Sequence, residues 1–457
     1  MRVAAAVCAI AVLATGARLC HLDLLWVEEA YPMAAAAEVL RGKLLYRDIW
    51  FDKPPLYALF YLLCGAQMGW PLRLLSSAFV LFTCWTAWRF FPYPQTRVEP
   101  RLAAALLAVY LTFGIPSSVM ALAPDLLSVP LHLLAVFLAM RGQALAAGLA
   151  GGLAMLVNTK AAFILAACLL WAPRVEFILG AAIPNVLAIG ALAWLGALGD
   201  YWTQVWIWGM RYSADPFVAQ PWKEGLIRTM NWAGFHATLV TGAAVWIWRE
   251  RPRRVLLWML LCLIAVCAGW RFFPRYYFLL LPPMLYAGIW GLMGLPQAWR
   301  AIVLLTILIP VARFGPRYLN LATGDRQWTD LAMMQDSREA AAIATRASRP
   351  GDQLLVWGYR PDVYVFSGLP AATRFLDSQP LNGVLADRHL FTSKPTAADL
   401  ARPNAEALAS GRRPEIIVDG LGVLNPDLAV SRFRAFGLDN YDVAGQTKMS
   451  IVYVAKR

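Results

Sequence analysis

The sequence is poor in charge. Asp, Glu, Lys and Arg make up 15% of its 457 residues and hydrophobic residues 60%, whereas an ordinary soluble domain carries about 25% charged residues. That excludes a soluble globular chain and points to a protein dissolved largely in lipid. Cysteine is sparse and unpatterned: Cys8, Cys20, Cys64, Cys84, Cys168, Cys262 and Cys267 form no CxxC, and six lie in or beside apolar segments. They read as small buried hydrophobes and not as a disulfide framework. The four histidines, His21, His132, His236 and His389, have no ligand spacing, which disfavours transition-metal catalysis. A P-loop, a GxGxxG strand-to-helix unit and a GxSxG nucleophile are also missing, so neither nucleotide binding nor serine chemistry has a foothold.

What is present is unevenly placed. Residues 325–457 hold 31 of the 69 charged residues, 16 basic and 15 acidic, so the chain divides into an apolar part, 1–320, and a soluble part, 321–457. Eleven apolar runs qualify as spanning candidates: 3–20, 72–91, 102–116, 126–140, 143–158, 161–173, 176–199, 232–248, 255–270, 276–294 and 301–315. A span needs roughly 20 apolar residues. The first run has Arg2 ahead of an apolar core but no clear small-residue cleavage site, and reads as a retained anchor.

The net charge of +13 is a topology signal and not a nucleic-acid footprint, because the excess lies in short connections between apolar runs. With the N-terminus cytoplasmic, the inner loops carry 11 basic and three acidic residues, as the positive-inside rule expects. The opposite face then holds a loop over 21–71, a tryptophan-rich loop over 200–231 and the soluble part. Trp202, Trp206, Trp208 and Trp222 suit interfacial anchoring, with sugar stacking as the alternative. Residues 56–63 are apolar enough for a span, yet counting them would move the arginine clusters outside, so they read as an interfacial helix. In the soluble part, 353–357, 415–419 and 451–454 read as strands and 329–347 and 398–410 as helices, a small α/β domain.

The first outer loop is dense in charge beside a membrane, which is costly unless used. It reads Glu28-Glu29-Ala30-Tyr31, then Leu40-Arg41-Gly42, Tyr46-Arg47-Asp48, Asp52, and Lys53-Pro54-Pro55-Leu56. Two prolines directly after a lysine stiffen the chain, as a site that positions a cation requires.

This ordered set over 26–57 resembles the first outer loop of the GT-C glycosyltransferases, among them bacterial relatives of protein O-mannosyltransferases and of the aminoarabinose transferases that modify lipid A. Ala123-Pro124-Asp125, Gly151-Gly152-Leu153 to Lys160, and Arg271-Phe272-Phe273-Pro274-Arg275-Tyr276-Tyr277 before Leu281-Pro282-Pro283 extend the resemblance. Where that family usually has aspartate then glutamate, this chain has Glu28-Glu29, one methylene longer at the first acid. The resemblance implies a polytopic α-helical membrane protein of GT-C type with about eleven transmembrane helices and a C-terminal extracytoplasmic α/β domain. It would sit in the cytoplasmic (inner) membrane and move a sugar, with inversion, from a polyprenyl-phosphate donor to a protein, lipid or glycan acceptor.

In that reading Glu28 is the base, Glu29 and Asp125 support it, and Lys53, Arg271, Arg275 and Lys160 hold the donor phosphate. Glu28 and Asp125 with phosphate oxygens would suffice for a divalent cation such as Mg²⁺, although nothing in the sequence requires one. Plainer roles exist for several: helix-terminal acid for Asp125, snorkelling at the membrane edge for Arg271 and Arg275, and a loop charge for Lys160. The rival function is a transporter or lipid flippase with an outer soluble domain, which would carry ionisable groups deep within its spans.

Overall fold

The computed structural model describes residues 2–214, 219–324, 328, 331–409, 411, 413–433 and 437–456. Each expected apolar run contains helix, but most helices are shorter than the runs. Two described helices have both the length and the apolarity to cross a bilayer, Val175–Trp194 and Gln297–Ala322, the latter turning slightly after Leu305. The expected span 232–248 is two helices, Pro221–Phe235 and Ala237–Glu250, broken at His236. The run 161–173 becomes a 3₁₀ turn, Thr159–Ala161, and a seven-residue helix, Ala162–Cys168. Residues Pro55–Phe60 and Tyr61–Cys64 form a short helical stretch that stops at Gly65, whose φ of +62° suits glycine. It is too short to span.

Small residues set how closely the helices pack. A side chain at Gly242 or Gly291 would collide with the facing backbone, so Ala237–Glu250 and Leu281–Met293 meet main chain to main chain. Gly148 and Gly180 do the same for Ala144–Met155 and Val175–Trp194. Such contacts replace the hydrophobic drive that lipid does not provide.

The soluble part folds around a four-stranded sheet of β1 (Leu354–Trp357), β2 (Ile416–Asp419), β3 (Tyr441–Gln446) and β4 (Ile451–Ala455), in the order β1-β2-β4-β3. β1 and β2 are parallel with Leu354 opposite Ile416, and β4 is antiparallel to both β2 and β3. The continuous apolar runs of β1 and β2 are fully buried, as strands covered on both faces must be. β3 escaped the sequence reading because it is a mostly exposed edge strand with Gly445 at an irregularity.

This part is tied to the first loop. Trp50 N–H donates to Arg374 O at 2.7 Å, Ala371 N–H to Glu38 Oε1 at 3.1 Å and Lys43 Nζ to Ala371 O at 2.9 Å. The soluble part therefore roofs the loop that carries the charges.

Candidate active site

The first loop is held from several sides. Helix Val27–Leu40 begins after the extended Trp26, with Glu28 and Glu29 in its first turn, where acids suit the helix dipole. Gly42, at φ +89°, turns the chain back. Tyr46 is fully buried with φ +70°; its carbonyl accepts from Gln204 Nε2 at 2.9 Å, and its hydroxyl donates to Lys53 O at 2.8 Å. Gln204 Oε1 also accepts from Phe51 N–H at 2.8 Å. Gln204 lies in a π-helical turn, Trp202–Ile207, so part of the tryptophan-rich loop is helix packed on the first loop. Trp208 is buried against Trp50, with ring centres 5.8 Å apart, whereas Trp202 and Trp222 are exposed. Trp208 thus packs inside the protein and is not an interfacial anchor.

Glu28, Asp52, Lys53, Asp125, Lys160, Arg271 and Arg275 all line one cavity of about 370 Å³. Tyr57 donates its hydroxyl hydrogen to Glu28 O. Arg275, at the start of the 3₁₀ turn Pro274–Leu279, places Nη1 2.5 Å from Glu28 Oε1 and Nε 3.7 Å from Asp125 Oδ2. Asp125 follows Pro124 in the first turn of Pro124–Met140, and its other oxygen, Oδ1, accepts from Asn158 Nδ2 at 3.0 Å. Asn158 Oδ1 in turn accepts from Lys160 N–H at 3.0 Å. Asn158 was not singled out in the sequence; its one signal was a polar residue ending an apolar run two positions before Lys160.

The four cations differ in what they already hold. Lys53 Nζ is 2.7 Å from Asp52 Oδ2. Arg271 pairs with Asp387 of the soluble part, donates to Tyr212 O and stacks over the Tyr212 ring at 3.7 Å. The left-handed backbone of Gly269, Trp270 and Phe272 shapes the chain around it. Arg275 is shared by Glu28 and Asp125. Lys160 Nζ is buried, has no hydrogen-bond acceptor among the described residues and lies 3.2 Å from the centre of the Tyr276 ring. Burial pulls its pKa down to about 8, with Asp125 opposing and Arg275 and Arg271 adding to the shift. Lys160 thus offers an anion the least encumbered positive charge of the four.

Glu29 departs from expectation. It is fully buried and does not line the cavity; Arg73 Nη1 and Nη2 each lie 2.9 Å from one of its carboxylate oxygens. Arg73 also donates to His21 O at 3.0 Å and Leu24 O at 2.7 Å. The pair is a bidentate clamp between helices, so a catalytic part for Glu29 is corrected to a structural one. A divalent cation fits poorly as well. The Arg275 guanidinium lies between Glu28 and Asp125, the two acids that would hold such an ion.

No protein-family model matches the sequence, and no curated protein matches it. Solved structures do. ArnT from Cupriavidus metallidurans bound to undecaprenyl phosphate superposes with a TM-score of 0.59 at 14% identity, covering 98% of this chain and 97% of that one. The chain has the GT-C fold. Two further GT-C structures agree: arabinofuranosyltransferase AftD from Mycobacteria (TM-score 0.50, 14% identity, 99% of this chain and 40% of that one) and the Archaeoglobus fulgidus oligosaccharyltransferase (TM-score 0.50, 11% identity, 95% and 71%). A GT-C chain is a polytopic helical membrane protein, which accounts for the scarcity of charge with which the sequence began.

Proposed function

We propose that the protein is an inverting glycosyltransferase that moves a sugar from a polyprenyl-phosphate donor to an acceptor hydroxyl at the outer face of the cytoplasmic membrane. The observation that carries this reading is the meeting of Glu28, Asp125, Arg275 and Lys160, from four separate stretches of chain, in one cavity. The fold shared with an undecaprenyl-phosphate-bound transferase supports the donor class. The positive-inside bias supports a cytoplasmic N-terminus, and with it an extracytoplasmic soluble part beyond a membrane part of residues 1–320. The acceptor is a protein, lipid or glycan hydroxyl.

The chemistry follows from what each group can do. Glu28 accepts the proton of the acceptor hydroxyl as its oxygen attacks the anomeric carbon from the face opposite the phosphate. The bond from that carbon to the phosphate oxygen breaks, and its electron pair leaves with the phosphate. Lys160 and Lys53 stabilise the growing negative charge, an electrostatic contribution that is strongest where water is scarce. Asp125, oriented by Asn158, fixes Arg275 against Glu28. Arg271 borders the cavity but is engaged by Asp387, so its first task is to hold the roof.

A transporter or flippase would space ionisable groups along a path through the bundle; seven of them around one cavity favour chemistry at one place. The deciding test is mass spectrometry of envelope lipids and glycans from cells whose only copy is Glu28→Gln. One sugar increment should vanish. A profile identical to wild type, with the variant present in the membrane, would sink the proposal.

A further inference from the structure

The two carboxylates that face the cavity meet at a cation supplied by the chain itself. Arg275 Nη1 lies 2.5 Å from Glu28 and its Nε 3.7 Å from Asp125. Two acids converging on one point, with phosphate oxygens to follow, would otherwise be an oxygen-ligand site for a hard divalent ion. The guanidinium is permanently charged and planar, and its separate N–H groups can serve two acids at once. Two rings flank it: its Cζ lies 5.1 Å from the Phe273 ring centre and 5.8 Å from that of Tyr276. The other oxygen of Asp125, Oδ1, is taken by Asn158 Nδ2 at 3.0 Å.

We propose that Arg275 stands where a divalent metal would bridge Glu28 and Asp125, so that the site is closed to metal and sugar transfer proceeds without one. The consequence for the reaction rests on the transferase reading above; the claim about the site does not. With Arg275 in place, each of the two acids has a cation beside it without a metal. A metal entering there would have to expel a guanidinium held by two carboxylates.

Mn²⁺ alone is the probe, titrated into the purified full-length protein in detergent and followed by the loss of the free-ion electron paramagnetic resonance signal. Wild type and Arg275→Lys are expected to leave the signal unchanged. Arg275→Ala should gain one bound equivalent, about tenfold or more tighter than any binding in wild type, because two unneutralised carboxylates then face each other. Adding Asp125→Asn to that variant should abolish the gain. A purely structural arginine would produce no such gain. One equivalent bound by wild type and lost in Glu28→Gln overturns the proposal, and so does an Arg275→Ala protein that binds no more than wild type. Should Arg275→Ala fail to fold, Arg275→Gln takes its place, and the wild-type measurement remains decisive on its own. Because the readout involves no sugar, a chain shown not to be a transferase could still pass this test.

Discussion

Glu28 and Glu29 are neighbours of one residue type in one helical turn, and the structure uses them in opposite ways. A helix advances about 100° per residue, so consecutive side chains cannot share a face. Glu28 turns toward the cavity, where its side chain keeps 21% of its exposure and meets Arg275 from the Pro274–Leu279 turn. Glu29 turns into the bundle, where both it and Arg73 from Trp70–Phe90 are fully buried. Each acid has an arginine, but only one pair borders space that a substrate can enter. A buried clamp of this kind fixes geometry, whereas a pair at a cavity wall can exchange partners when a ligand arrives.

The largest expected effect is on Glu28. Removing a general base typically costs about 10²- to 10⁴-fold in rate, so Glu28→Gln should lose transfer by that factor in a reconstituted assay while its melting curve stays that of wild type. Equal loss of transfer in a well-folded Glu29→Gln protein would break the distinction between the two acids.

Next is the clamp itself. Arg73→Ala leaves the buried Glu29 carboxyl without its ion-pair partner, a defect worth about 3–5 kcal/mol. It should appear as a lowered denaturation temperature and a reduced yield of folded protein. Replacing both partners, Arg73→Met with Glu29→Leu, should recover most of that loss, because no buried charge remains. A double variant as unstable as the single one would mean that Arg73 matters chiefly through its bonds to His21 O and Leu24 O.

A smaller effect is expected at Lys160. Losing a charge-assisted contact to phosphate costs about 1.5–3 kcal/mol, so Lys160→Met should raise the donor KM about ten- to a hundredfold with a lesser change in kcat. With a pKa near 8, the free enzyme loses this charge as pH rises through that value, and donor affinity should weaken in wild type but not in the variant. Stability moves the other way. The unfolded chain, with the ordinary value of 10.5, binds this proton more tightly, so stability rises with pH between about 8 and 10.5. A donor affinity that stays level across that window would remove Lys160 from the phosphate.

How much of this was legible follows from the range of each interaction. Glu28, Lys53 and the Asp125 region were readable because their motifs are local, each a few residues long beside an apolar run. The fate of Glu29 was not, since it depends on an arginine 44 positions away inside a helix that reads as a plain span. The engagement of Arg271 by Asp387 joins two parts of the chain that composition alone separates. Hydropathy located the helices well and their ends poorly, because breaks such as that at His236 fall inside a continuous apolar run that hydropathy does not divide. β1 and β2 were visible as continuous apolar runs, whereas β3 is an exposed edge whose polar alternation looks like loop.

A third buried acid sharpens the comparison from the other side. Asp377, in the soluble part, is 2% exposed, and its Oδ1 accepts from Gln379 N–H at 2.8 Å, with no cation in ion-pair range among the described residues. Glu29 is buried with a guanidinium; Asp377 is buried without one. Burial raises its pKa to about 7, and the nearby Asp52 carboxylate adds to the rise while Lys53 and the bond from Gln379 oppose it. The folded form therefore binds this proton more tightly than the unfolded chain, whose carboxyl titrates near 3.8. The stability it contributes is complete below that value and is lost as pH climbs through about 7. Asp377→Asn removes the titration at the cost of amide hydrogens that need acceptors, so the net gain at pH 8 should be only about 1 kcal/mol. Melting curves at pH 5 and pH 8 decide the matter: the wild type should lose more stability between them than Asp377→Asn, and parallel losses would show that the Asp377 carboxyl does not titrate in this window.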